Sequence, residues 1–387
     1  RNVEQTIITL HSQRRRRRAT RQYQMTQRSQ FLDEELLCAK RGKVLHVTLN
    51  RPSALNALNL SMVRELTVKL KECIQDTETS VVTLRGSGDK AFCSGGDLKS
   101  LTFSARDGSN YGQHFFFEEF TLNYIIGTFP KPLISILNGI TFGGAAGLTV
   151  LGRFCVATDR AVFCMPECAI GLFPDVGSGH FLSRLPGNMG MFLGLTGHRL
   201  RGRDIVRVGL ASHYIDFSKI PHLDLVLETL QPYVSADHID ALLKDFESMS
   251  ETVFPESFTL EQHLEQIAYC FNGNSVEEIV NNLQQDGSEW AHKQLNAIKK
   301  MSPTSLKITF QLLKEGLNKS LAETLKSEYR LTQRCIQDKD FHEGIRATIL
   351  DKDGKPHWHP ATLQDVTAER VNHYFSALTE GQELDLK

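Results

Sequence analysis

Apolar and polar positions change period several times along the chain, and those changes outline its elements. Val44–Leu49 alternates as a strand does, and Val81–Arg85 reads as a second strand. Between them, Leu58–Ile74 places apolar Met62, Leu66, Leu70 and Ile74 at helical spacing. A glycine-bearing loop, Cys93-Ser94-Gly95-Gly96-Asp97, comes before a helical stretch around Phe115–Ile126. A buried strand at Pro132–Leu137 is next, then short strands at Phe154–Thr158 and Ala161–Met165. Strands alternating with helices predict an α/β arrangement with parallel pairing.

From about residue 221 the pattern turns helical, with long amphipathic runs such as Ser305–Leu317 and Leu321–Ile336. The expected organisation is therefore a basic N-terminal tail at 1–35, an α/β core at 36–220 and a mostly helical C-terminal region at 221–387. One segment invites a different reading. Pro132 to Gly152 runs for 21 positions without a charged residue, near the length of a membrane span. It also holds Pro132, Asn138 and five glycines, and it divides into a buried strand, a turn at Gly143-Gly144 and a buried helix start over Ala145–Leu151. The expectation is no membrane span.

Charge changes the picture at the N-terminus. Residues 1–30 hold eight arginines, no lysine and a single acid, Glu4, whereas the remaining chain carries 36 basic and 44 acidic residues. An Arg-rich, acid-poor start with no apolar core segment reads as a mitochondrial targeting sequence, with a disordered basic tail as the plainer alternative. A body that acidic is a poor phosphate binder, so nucleic acid is not the expected partner. Overall, 41% hydrophobic and 23% charged residues over 387 positions describe an ordinary globular chain with ample core. Nothing in the sequence fixes the oligomeric state, and a homo-oligomer is compatible with it.

The chemistry-bearing residues are first narrowed by the motifs the chain lacks. The eight cysteines form no C-x-x-C, Cys164 and Cys168 have no nearby partner to complete a zinc set, and His357-Trp358-His359 lacks further ligands. Buried, reduced thiols and no metal site are expected. No serine sits in G-x-S-x-G, and there is no Walker A loop. Gly86-Ser87-Gly88-Asp89-Lys90-Ala91 fits a loose dinucleotide pattern, but the residues after it, through Gly95-Gly96, do not open a helix.

Two glycine turns remain, Ser94-Gly95-Gly96 and Gly143-Gly144, together with several carboxylates. Two backbone N–H groups converging from such turns would make an oxyanion hole, although glycines at strand ends are also simply turns. Glu167, after Met165-Pro166 and among apolar residues, is either functional or a surface acid. Asp175, between Pro174 and Val176-Gly177, is either functional or a turn residue. Glu118 and Glu119 lie in an aromatic stretch where one of the two could be merely solvated. Asp97 reads as a loop or cap acid.

The ordered strings carry a resemblance. Leu49-Asn50-Arg51-Pro52 through Asn56-Ala57-Leu58, Ala91-Phe92-Cys93-Ser94-Gly95-Gly96-Asp97 and Asn138-Gly139-Ile140-Thr141-Phe142-Gly143-Gly144 resemble the crotonase (enoyl-CoA hydratase/isomerase) superfamily. More specific are Met165-Pro166-Glu167 with Ile170 to Gly177, Met301-Ser302-Pro303 to Lys307, and Asp340-Phe341-His342-Glu343-Gly344 to Ala347. These are similar to a branch of that superfamily that hydrolyses a short 3-hydroxyacyl-CoA thioester in branched-chain amino-acid breakdown. The match runs from about residue 40 to near 365.

The resemblance implies an α/β spiral of ββα turns followed by a mostly helical C-terminal region, with a small-molecule acyl-CoA as substrate. By motif position it implies an oxyanion hole from the N–H groups of Ser94 and Gly144, with Glu167 as catalytic carboxylate. Asp175 lies eight residues on, and Glu119 and Asp175 would meet the polar end of the acyl group. The substrate-binding set it implies is Glu119, Gly144, Glu167 and Asp175, and it implies no cofactor beyond the CoA of the substrate. Two departures matter. Hydratases of the superfamily carry a glutamate where this chain has Gly147, and adding water across a double bond needs both an acid and a base. The hydrolase pattern has a third consecutive glycine where this chain has Ala145. An enoyl-CoA hydratase or isomerase remains the alternative within the fold, and a non-catalytic scaffold or RNA binder using the arginine run is the alternative outside it.

Overall fold

The strands sort into two sheets in a computed structural model that describes residues 34–106, 109–230, 234–250 and 257–386. The targeting segment expected at 1–35, with its arginine run, lies outside the described residues but for its last two positions. The larger sheet has the order β1 (Leu36–Arg41), β2 (Val44–Leu49), β3 (Val81–Gly86), β5 (Leu133–Leu137), β7 (Phe154–Ala157), β10 (His213–Tyr214). The smaller has β4 (Ala91–Cys93), β6 (Ile140–Phe142), β8 (Val162–Cys164), β9 (Leu200–Arg201). β1–β2 and β8–β9 are antiparallel, and the other pairs are parallel. Three successive turns, β3/β4, β5/β6 and β7/β8, each lay one strand in the large sheet and the next in the small sheet, then cross over through helical structure. The result is the α/β spiral of ββα turns.

The central strands of the large sheet are covered on both faces, so β5 and β7 are apolar at nearly every position. Along β7, Phe154 and Val156 face one core while Cys155 and Ala157 face the other. Along β5, Ile134 and Ile136 share the first core, and Leu133 and Leu137 the second. The first core is closed by Ile220, Leu223 and Leu227 of helix Ile220–Glu228 and by Ile239, Leu243 and Phe246 of helix Ala236–Ser250. The second is the main core. It takes in helix Leu60–Gln75, whose Met62, Val63, Leu66 and Leu70 are buried, and the helices beyond residue 264.

Caps set several ends. The side chain of Asn59 accepts from the Met62 amide at 2.9 Å, which starts the first helix at Leu60 rather than at Leu58. Ser320 and Glu323 form a capping box at the start of helix Leu321–Cys335. The uncharged stretch from Pro132 becomes β5, β6 and a 3-10 helix over Gly143–Leu148, so Gly143 and Gly144 open a helical turn. No helix among the described residues is long and apolar enough to cross a membrane. Of the eight cysteines seven are buried, and Cys38 on the edge strand β1 is exposed.

Candidate active site

β4, β6 and β8 lie side by side and parallel, with Ala91 opposite Ile140 and Ile140 opposite Val162. Their C-terminal ends therefore finish at one edge, and each runs straight into an expected site segment. β4 leads to Ser94-Gly95-Gly96, β6 to Gly143-Gly144, and β8 to Met165-Pro166-Glu167. Helix Tyr111–Gly127 brings Glu119 against this edge, and the loop after Gly171 returns with Asp175. All five expected residues (Ser94, Glu119, Gly144, Glu167 and Asp175) line one cavity of about 90 Å³. Phe115, Phe116 and Leu101 supply its apolar wall. A larger cavity of about 580 Å³ opens on the other side of that helix, against His114, Phe117 and Tyr329, and contains none of them.

The two glycine turns are pressed together. A methyl group on Gly144 would lie 2.8 Å from Oε1 of Glu119 and 3.3 Å from the amide nitrogen of Gly96. A methyl group on Gly95 would lie 3.2 Å from the amide nitrogen of Gly144. Backbone must therefore approach backbone here, which only glycine allows. One expectation needs correcting at this point. The Ser94 amide donates to the carbonyl of Leu55 at 3.0 Å, so it is already occupied. The amide that faces Gly144 is that of Gly96, two residues on, which donates to no protein carbonyl among the described residues. Motif position alone could not separate the two amides, because which one is consumed depends on the pairing with Leu55.

Asp97, next in sequence, is structural. It accepts from the Ser100 amide at 3.3 Å at the start of helix Leu98–Arg106 and pairs with Arg51 at 3.1 Å. Arg51 also donates to the Ala57 carbonyl at 2.7 Å, tying the 51–57 loop to the 94–97 loop.

Four carboxyl groups are buried around the cavity or directly behind it, none more than 4% exposed: Glu119, Glu167, Asp175 and Glu328. Oε1 of Glu119 and Oε2 of Glu167 are buried with no hydrogen-bond partner. Burial and the charge of Asp175 push both carboxyls well above the ordinary range. Burial pushes Asp175 up to about 7. Glu328 is pushed up to about 8 by burial, against the downward pull of the two amides it accepts. Carboxyl groups so placed are characteristic of sites that need a base or nucleophile poised near neutrality.

Gly147 sits where a hydratase would need its second glutamate, and there is no space for one. A side chain there would collide with the amide of Asn123 and lie 2.7 Å from Cβ of Val176. Asn123 is fully buried, one helical turn beyond Glu119, and neither of its side-chain polar atoms has a hydrogen-bond partner.

The C-terminal motifs that carried the resemblance turn out to brace the Glu167 turn. The Ser302 amide donates to the carbonyl of Cys168 at 3.0 Å, and the Ser302 hydroxyl donates to Asp340 at 2.6 Å. The other oxygen of Asp340 accepts from the His359 amide at 2.7 Å. Glu328 was not singled out by sequence reading. Its signal was a charge on the buried stripe of Leu321–Cys335, four residues before Thr332 and three after Leu325.

A fold of ββα turns, with two glycine turns packed backbone against backbone and unpartnered buried carboxyls in one small cavity, defines a CoA-thioester enzyme of the crotonase type. The chain belongs to the enoyl-CoA hydratase/isomerase family, whose model matches residues 44–375. It is 48% identical over 345 residues to the mitochondrial 3-hydroxyisobutyryl-CoA hydrolase of Homo sapiens, covering 89% of either chain. To the enzyme of the same name from Danio rerio it is 47% identical over 346 residues, covering 89% of this chain and 90% of the other. Among solved structures, a carnitinyl-CoA dehydratase from Mycobacterium thermoresistibile superposes with a TM-score of 0.83 at 33% identity, over 92% of this chain and 99% of that one. An enoyl-CoA hydratase from Rhodobacter sphaeroides superposes at 0.81 and 34% identity, over 91% and 100%.

Proposed function

We propose that this chain hydrolyses the thioester of 3-hydroxyisobutyryl-CoA to 3-hydroxyisobutyrate and CoA, a step of valine breakdown, in mitochondria. The observation that carries the reading, beside the near full-length relatives, is the buried, unpartnered oxygen of Glu167 in the same cavity as Gly96 and Gly144, whose backbones pack closely together. The thioester carbonyl oxygen accepts from those two amides, which hold the charge that develops on it. Glu167 attacks the carbonyl carbon. The new C–O bond forms as the C–S bond breaks, CoA leaves as thiolate and takes a proton from solvent, and the acyl group rests on Glu167 as a mixed anhydride. Water opens the anhydride, releasing the hydroxy acid and restoring Glu167. Glu119 and Asp175 receive the 3-hydroxyl, so an analogue lacking it leaves buried acceptors unpaired.

The names of the solved neighbours favour hydration as a second reading, but Gly147 removes the acid–base pair that hydration needs. The basic segment 1–35 serves import, the remaining chain works as the spiral core and its helical brace, and its acidic balance argues against nucleic acid as a partner. Free-thiol release across a panel of short acyl-CoA esters tests the reading. The 3-hydroxyisobutyryl ester is expected to turn over fastest, and hydration of crotonyl-CoA without thiol release would contradict it.

A further inference from the structure

Asp175 stands on an unusual piece of backbone. The residue after it, Val176, is a fully buried β-branched residue with φ of 55°, and Gly177 comes next at 89°. A valine in the left-handed region is a genuine outlier, and it persists only where its surroundings hold it. The bend makes its own bonds, from the Ser178 amide to the Asp175 carbonyl at 3.0 Å and from the Ser178 hydroxyl to the Pro174 carbonyl, and one side chain from a distant helix binds it from outside. Glu328, on helix Leu321–Cys335, accepts from the Gly177 amide at 2.6 Å and from the Gly179 amide at 2.9 Å, one on each oxygen. It is wholly buried, about 150 residues along the chain from the loop it binds. It also sits on the helix stripe where packing would favour an apolar residue. The groups that act most on its ionisation include no Lys or Arg, and the acid among them is Asp175.

We infer that Glu328 is a positioning residue: its two amide contacts hold the Val176–Gly177 bend so that Asp175 points into the acyl cavity. The helical C-terminal region then completes the site. A glutamine would keep the volume but offer one acceptor where two amides point, so the bend would relax and carry Asp175 with it. This rests on the proposal that Asp175 meets the acyl group.

The test is a double-mutant cycle of Glu328→Gln and Asp175→Asn, with kcat/KM measured on 3-hydroxyisobutyryl-CoA and isobutyryl-CoA. Glu328→Gln should slow the hydroxylated substrate about tenfold or more, in line with one lost bond to a charged acceptor. The double variant should be no slower than Asp175→Asn alone, within about twofold, because positioning an absent carboxylate is worth nothing. Effects that multiply in the double variant would overturn the inference. Asp175→Asn alone reads the underlying assignment separately. If it slows both substrates equally, the hydroxyl role is wrong, while the cycle still reports whether Glu328 acts through Asp175. Hydrogen exchange of the 174–179 backbone should quicken in folded Glu328→Gln, and unchanged exchange there would also overturn the inference. If that variant fails to fold, Glu328→Asp, which keeps the charge but shortens the reach, carries the same cycle.

Discussion

Gly147 lies so close to Asn123 that any side chain at 147 would collide with the asparagine amide. The position that would hold a hydratase's second glutamate is thus closed by packing as well as by residue choice. Gly147→Glu should therefore fail to create hydratase activity and should destabilise the protein. Overpacking a well-filled core costs about 1–3 kcal/mol, and an unpaired buried carboxylate adds to it. Thermal unfolding and a crotonyl-CoA hydration assay on the variant check both halves. A stable variant that hydrates crotonyl-CoA would refute the argument.

The reassignment of the oxyanion donors from Ser94 to Gly96 can be tested by removing single N–H groups. Gly144→Pro and Gly96→Pro each delete a donor. Each should lower kcat by about 10²–10³ in folded protein, the usual effect of losing one such donor. Ser94→Ala leaves the Ser94–Leu55 backbone bond intact and should stay within about threefold of wild type, since a serine hydroxyl is not asked to act. A folded Gly96→Pro enzyme with near-normal kcat would return the role to another amide.

The acid limb of the pH–rate profile should report the buried carboxyl cluster. Burial first, and the charge of Asp175 second, hold Glu167 protonated above its ordinary value of 4.5. Turnover needs the carboxylate, so kcat/KM should rise with pH and inflect well above 4.5. The inflection belongs to the coupled cluster rather than to a single residue. Asp175→Asn removes a like charge and should move the limb to lower pH. A limb near pH 4.5 in the wild type, or a shift to higher pH in the variant, would contradict the electrostatics.

Much of the fold was legible because its strands and helices have clear periods. Val44–Leu49 and the helix beginning near Leu58 appear within two residues of where the pattern places them. The three-residue strands β4 and β6 carry too few positions for a period, yet they are what align the site segments. Glu119, Glu167, Asp175 and Gly144 were legible through ordered motifs, and the structure brings them to one cavity. The Gly96 amide and Glu328 were not. Choosing between amides two residues apart depends on which carbonyl lies opposite, and that partner, Leu55, is some forty residues away in sequence. Glu328 acts on a loop about 150 residues upstream, a pairing that local pattern does not encode.

Glu167 is proposed to act on the carbonyl and Asp175 on the hydroxyl, and one comparison separates the two roles. It is the ratio of kcat/KM for 3-hydroxyisobutyryl-CoA to that for isobutyryl-CoA, measured by thiol release in wild type, Glu167→Gln and Asp175→Asn. Glu167→Gln should abolish release from both esters. Asp175→Asn should reduce the ratio by roughly 10–150-fold, the worth of a hydrogen bond to a charged acceptor. An unchanged ratio in Asp175→Asn, or thiol release surviving in Glu167→Gln, would contradict the account.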